Sequence, residues 1–149
     1  MRADDERIPH SFEIADAAGL SYSFGIANLT SAHPNSVVLE VKGKSGRTLE
    51  VQACSLGGGR IMINRLDGLD VNCTCEIPTL IVHNLDQPGH VAEVTSMLAH
   101  KSVNIANMSL YRDKRGGSAV MVVEMDQPLP KEFLQWLEHL EGIVKVTYI

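Results

Sequence analysis

Residues 79–110, TLIVHNLDQPGHVAEVTSMLAHKSVNIANMSL, constrain the fold more than any other stretch of the chain. Leu80, Ile81 and Val82 form an apolar run of strand length. A polar turn around Pro88-Gly89 follows. Val91, Val94, Met97 and Leu98 then recur at helical spacing over residues 89–101. Residues 103–111 read as the next strand, and Asp113-Lys114-Arg115-Gly116-Gly117 as a hairpin loop. Ala119, Met121, Val123 and Met125 alternate as the inward face of a third strand, with Val120 and Val122 between them. Pro128 and Pro130 open a second helix, whose stripe is Phe133, Trp136, Leu137 and Leu140 and whose cap is Gly142. Ile143 to Ile149 closes the series, with Val144, Val146 and Tyr148 on one face. The order βαββαβ is the ferredoxin-like split plan, a four-stranded sheet with both helices on one side. The other sheet face needs a cover, so self-association, as a homodimer, is expected.

The first half, residues 1–76, reads as a small α+β unit with a mostly antiparallel sheet, and residues 77–149 as the second domain. The whole is therefore α+β. Residues 9–18 suit a short helix ending at Gly19, and Tyr22, Phe24 and Ile26 alternate as a strand. Ser31-Ala32-His33-Pro34-Asn35 is a turn. Val37 to Val41 and Leu49 to Ala53 pair around Lys44-Ser45-Gly46, and Leu66-Asp67-Gly68 turns again after Ile61 and Ile63. Apolar material is scarce for an independent core, so the natural domain is expected to have more chain before residue 1.

Composition narrows the function. The chain has 149 residues and a net charge of −5, which lacks the basic footprint that nucleic-acid backbones require. Its seven aromatic residues are too few for base-stacking platforms. No apolar run approaches the ~18 residues of a membrane span, and no export signal opens the chain, so a cytoplasmic location is expected. Three cysteines, Cys54, Cys73 and Cys75, are an odd count that argues against a disulfide framework. Cys73 and Cys75 fall on one face of a strand. No cysteine or histidine pair repeats at ligand spacing, so neither a metal site nor an iron–sulfur site is expected in this chain. A metal sensor built from His83, His90 and the cysteines is a minor alternative. No catalytic triad or paired acid and base is readable, so no catalytic residues are expected either.

The turn Asn84-Leu85-Asp86-Gln87-Pro88-Gly89 is the strongest candidate site. Free amides at the start of the 89–101 helix suit a small carboxylate. Asp86 can accept from an α-ammonium, and Asn84 and Asn104 can each donate and accept. Asn104 opens the neighbouring strand and is expected to face the turn. With Gln87, Gly89 and His90 these groups suit a zwitterionic amino acid. The competing reading is a capped helix with ordinary turn residues. A second set, His33, Asn35, Ser55, Gly57, Gly58 and Gly59, suits a ligand or a domain contact. Its competing reading is turn chemistry, with glycines permitting a tight turn or bulge.

Residues 78–149 resemble an ACT domain, a regulatory module of amino-acid enzymes. The resemblance rests on His83-Asn84, Pro88-Gly89-His90-Val91 and Val103-Asn104-Ile105. In serine-inhibited phosphoglycerate dehydrogenases a similar loop and strand hold serine between two ACT domains, which implies loop roles for Asn84 and Asp86 and a strand role for Asn104. The whole chain is similar to the beta chain of bacterial iron–sulfur L-serine dehydratase, through Asp5-Glu6-Arg7-Ile8, Ala32-His33-Pro34-Asn35 and Ser55-Leu56-Gly57-Gly58-Gly59-Arg60-Ile61. In that family an allosteric substrate-binding domain precedes the ACT domain. The resemblance implies a separate catalytic alpha chain with a [4Fe–4S] cluster, which turns L-serine into pyruvate and ammonia. This chain would then be a regulatory and assembly part, inactive alone. The alternative is a stand-alone amino-acid regulator, or the regulatory end of a phosphoglycerate dehydrogenase.

Overall fold

The computed structural model describes residues 4–30 and 32–149. Ser31, the first residue of the expected 31–35 turn, lies outside the described residues. The chain divides into two compact units, Met1–His33 and Pro34–Ile149.

In the first unit a single 3₁₀ turn, Ile8–His10, leads into helix α1, Ser11–Ala17. Pro9 sits in that opening turn, where no amide donor is required. Gly19 ends the helix at φ +70°, as the sequence suggests. The expected strand through Tyr22, Phe24 and Ile26 does not form, and residues 20–29 have no regular structure. Alternation makes a strand only where a neighbouring strand takes its backbone hydrogen bonds, and among the described residues none pairs with this segment. The rings of Phe12, Tyr22 and Phe24 cluster instead, with centroids 5.4–5.9 Å apart.

The second unit holds two antiparallel sheets. Strands β1 (Ser36–Lys42), β2 (Thr48–Gly57), β3 (Arg60–Leu66) and β4 (Leu69–Cys73) form a meander in sequence order. β2 and β3 meet at Gly57 and Arg60. The two residues between, Gly58 and Gly59, have φ of +63° and +78°, the paired left-handed conformation that tight hairpins demand.

The other sheet is built from β5 (Thr79–Leu85), β6 (Ile105–Arg112), β7 (Ser118–Met125) and β8 (Ile143–Tyr148) in the order β6-β7-β5-β8. Helices α2 (His90–His100) and α3 (Lys131–Glu138) complete the βαββαβ plan. Leu80, Val82, Met121, Val123 and Val146 pack with Val94 and Leu98 of α2 and with Phe133 and Leu137 of α3. One detail of β8 differs from simple alternation. A bulge between the His83 and Asn84 partners lets Val144 slip outward, 70% exposed, and brings Ile143 against the helix-side core.

The opposite face is not open. Ile63 and Leu66 of β3 and Val71 and Cys73 of β4 pack on Ile81, Val120 and Val122. The second sheet is therefore buried on both faces, which is why β7 carries apolar residues at consecutive positions. The cover that was expected from a second copy comes from the chain's own first sheet. The expected boundary at 76/77 falls in the short link between the sheets, inside the Pro34–Ile149 unit.

A candidate effector site at the strand–helix turn

β5 ends at Leu85 and α2 begins at His90. Between them the chain turns through Gly89 at φ +109°, the N-cap position, and no side chain caps the helix. The first amides of α2 therefore face outward without an intrahelical partner, with the positive end of the helix dipole behind them.

Two buried side chains flank this helix start. Asn84 lies on the helix-facing side of β5, opposite Ala119, and is 4% exposed. Its Nδ2 donates to the Leu85 carbonyl at 2.7 Å, and its Oδ1 has no partner among the described residues. His90 is 7% exposed. Its Nδ1 lies 3.5 Å from Glu93 Oε2, and its Nε2 has no partner among the described residues. Both side chains border the same short segment. Asn84 pairs with Ile143, the Leu85 amide donates to the Gly142 carbonyl, and the His90 ring rests against Gly142. Buried polar atoms without partners are uncommon and call for a reason.

The remaining expected residues are distributed differently. Asp86 Oδ2 accepts from Arg112 Nη1 at 3.0 Å and from the Gly116 amide at 2.9 Å. Those donors, the Gly116 amide first, hold its carboxyl below the usual range. This oxygen pins the turn to the β6–β7 hairpin, so Asp86 is committed internally where it was expected to receive an ammonium. Gln87 is exposed, its amide bonded to the Leu85 carbonyl.

Asn104 does not face the turn. β7 lies between β5 and β6, and β6 starts beside Met125, the end of the sheet where β5 also starts. A seven-residue strand separates the two ends by roughly 20 Å. There Asn104 Nδ2 donates to Asp126 Oδ2 at 2.6 Å, and its amide donates to Gln127 Oε1 at 2.8 Å. Of the second expected set, Asn35 and Ser55 are neighbours, since the Ser55 amide donates to the Asn35 carbonyl. Gly57, Gly58 and Gly59 form the β2–β3 hairpin end, and His33 belongs to the first unit.

A polar cluster between the two sheets has no signature in the sequence. Asp67 sits at the β3–β4 turn with φ +45°. Its Oδ1 accepts from the Glu50 amide, and its Oδ2 binds Lys145 Nζ and lies 3.6 Å from His83 Nε2. Lys145 also donates to the Thr48 carbonyl, and Arg47 reaches Glu138 and the Val146 carbonyl. Asp67, His83, Asn84, Asp113, Ser118 and Lys145 line an open cleft of about 410 Å³ beside the cluster.

Burial pushes the Asp67 carboxyl up, but the Glu50 amide, Lys145 and the charge of His83 together bring it below its ordinary value. Burial pushes His83 down from 6.5, against the weaker upward pull of Asp67. Both groups bind protons more readily unfolded than folded. Their stability contribution is complete above the unfolded value and is lost as pH falls. Urea unfolding of the intact chain is expected to show stability declining from about pH 6.5 downward, and His83→Gln to flatten the upper part of that decline. Identical pH profiles would contradict the assignment.

His83 reaches Asp67 at the first sheet, while the His90 ring rests against Gly142. Among the described residues no group of three His, Cys, Asp or Glu side chains is placed to hold a metal ion. Cys73 and Cys75 lie together, their sulfurs 3.1 Å apart, and Cys54 stands on β2. No helix among the described residues is long and apolar enough to cross a membrane.

Comparison with known proteins agrees with this architecture. Residues 78–140 match the ACT domain family. The chain is 33% identical over 145 residues to a probable L-serine dehydratase beta chain of Bacillus subtilis, covering 97% of this chain and 66% of the relative. It is 31% identical over 147 residues to the L-serine dehydratase beta chain of Peptoniphilus asaccharolyticus, with 98% and 66% covered. A D-3-phosphoglycerate dehydrogenase of Methanocaldococcus jannaschii is 30% identical over 88 residues, 59% of this chain and 17% of that enzyme. The chain thus spans 66% of the length of the two dehydratase chains it matches. With one sheet built as an ACT domain, the chain is similar along nearly its whole length to L-serine dehydratase beta chains.

Proposed function

We propose that this chain is the regulatory and assembly beta chain of a cytoplasmic L-serine dehydratase, sensing L-serine or another amino acid through its ACT half. The observation that carries the reading is the pair of buried, unpartnered atoms Asn84 Oδ1 and His90 Nε2 beside the uncapped start of α2. The α2 amides receive the carboxylate of the amino acid. Asn84 Oδ1 accepts from its ammonium, and His90 Nε2 bonds its side-chain hydroxyl. Asn104 joins the same ligand from a second copy, because within one chain it lies at the far end of the sheet. The ligand thus bridges a two-fold pair of ACT halves, an arrangement in which the same surface serves both copies.

In this reading the chemistry belongs to a separate catalytic chain that carries a [4Fe–4S] cluster. This chain contributes no catalytic residue and is inactive alone. Ligand binding biases the catalytic chain through a coupling of about 1–3 kcal/mol. A second reading, an amino-acid regulator of phosphoglycerate dehydrogenase type, draws support from the dehydrogenase similarity. Co-purification separates the two, since the partner is an iron–sulfur chain in one case and a dehydrogenase in the other. Thermal unfolding with L-serine and a panel of other free amino acids tests the sensing role common to both.

A further inference from the structure

Cys73 is the last residue of β4, and Cys75 follows two residues later in the link to β5. In a straight strand such residues stand roughly 6.6 Å apart along the chain, too far for their sulfurs to meet. Here Cys75 adopts φ +54°, a left-handed conformation that bends the chain back. The two Sγ atoms lie 3.1 Å apart, one thiol bonded to the other. Cys73 is buried against Ile81, Val120 and Val122 at the seam between the sheets, and Cys75 is half-buried at its edge.

We propose that Cys73 and Cys75 are a redox-active dithiol, a modification site at which a hydroperoxide drives formation of an intrachain disulfide. The two sulfurs share a proton unequally. The bond from the Cys75 thiol lowers Cys73 to about 7, and the same contact raises Cys75. The contact favours the thiolate at Cys73 over Cys75. The Cys73 sulfur attacks the peroxide, an S–O bond forms as the O–O bond breaks, and the departing hydroxide takes a proton from solvent to leave as water. Cys75 then gives up its proton and attacks the Cys73 sulfur, and the sulfenic oxygen departs as a second water. Two thiols and one hydrogen peroxide become one disulfide and two waters.

The bond would close a small ring in the link that joins the two sheets, so oxidation state is written where the first sheet meets the ACT half. Cys54 has no neighbouring thiol and serves as an internal control.

The experiment treats the intact chain with stoichiometric hydrogen peroxide, quenches in acid, and counts thiols by alkylation in denaturant with peptide mapping. The expected result is a fall from three thiols to one, with Cys54 remaining. The peptide holding Cys73 and Cys75 should lack two hydrogens, and dithiothreitol should reverse the change. Pairing should run about tenfold faster in the folded chain than in urea, because the fold holds the sulfurs together. Cys73→Ser and Cys75→Ser should each abolish the product, while Cys54→Ser should leave it intact. Retention of three thiols, oxidation confined to a single cysteine, or equal rates folded and unfolded would overturn the proposal. The mapping of the unmodified sequence stands whether or not the serine variants fold.

Discussion

Ile81→Ala is expected to destabilise the Pro34–Ile149 unit by about 2–5 kcal/mol, the range for emptying a buried aliphatic site. Ile81 is fully buried in the middle strand pair and meets the first sheet through Ile63, Leu66 and Val71. Its removal therefore weakens the contact between the sheets as well as the ACT core. If the two sheets share one core, they unfold together. Urea titration read by circular dichroism and by the fluorescence of Trp136, the single tryptophan, should give one coincident transition that shifts as a whole in the variant. A variant in which only one probe shifts would show that the sheets are separate folding units.

Gly142→Ala is expected to cost about 2–4 kcal/mol, from two sources that can be separated. Gly142 has φ +79°, and a side chain there costs about 1 kcal/mol in backbone strain. A Cβ would also stand 2.4 Å from His90 Nε2 and 2.5 Å from Cε1, an overpacking worth about 1–3 kcal/mol. Replacing His90 by alanine in the same chain removes the clash but not the strain. A double-mutant cycle should therefore show coupling of about 1–3 kcal/mol between the two positions. Additive effects would mean that the ring does not rest on Gly142, and the pairing of His90 with Asn84 at this site would lose its geometric basis.

The ACT half is legible from periodicity because each of its elements announces itself locally. Leu80-Ile81-Val82 and the β7 run are too short and too apolar for surface helices, and Phe133, Leu137 and Leu140 repeat at helical spacing. Strand order is a different kind of information. Asn104 follows α2 closely in sequence, and reading it as a neighbour of the turn treats succession as adjacency. In the split plan the third strand, not the second, lies beside the first, which places Asn104 at the far end. The bulge at Val144 exchanges the inward roles of Val144 and Ile143 without any local mark. The Asp67–His83–Lys145 cluster is invisible for the same reason, since its members come from three elements and Asp67 reads as an ordinary turn residue. The cover over Ile81 and Val122 lay in plain sight as Ile63, Leu66, Val71 and Cys73. Alternation in those strands shows that one face is buried, but not against what.

The most direct test of the sensing role is the thermal unfolding midpoint of the intact chain with millimolar L-serine, against a panel of other amino acids. At a hundred times its dissociation constant a ligand adds about 2.7 kcal/mol, a rise of roughly 5–10 °C for a unit of this size. The account predicts such a rise with L-serine or one close relative, lost in Asn104→Ala, whose circular dichroism should match that of the parent chain because Asn104 is exposed. A folded chain whose midpoint no amino acid moves, or a rise that Asn104→Ala leaves unchanged, would contradict the shared site between two ACT halves.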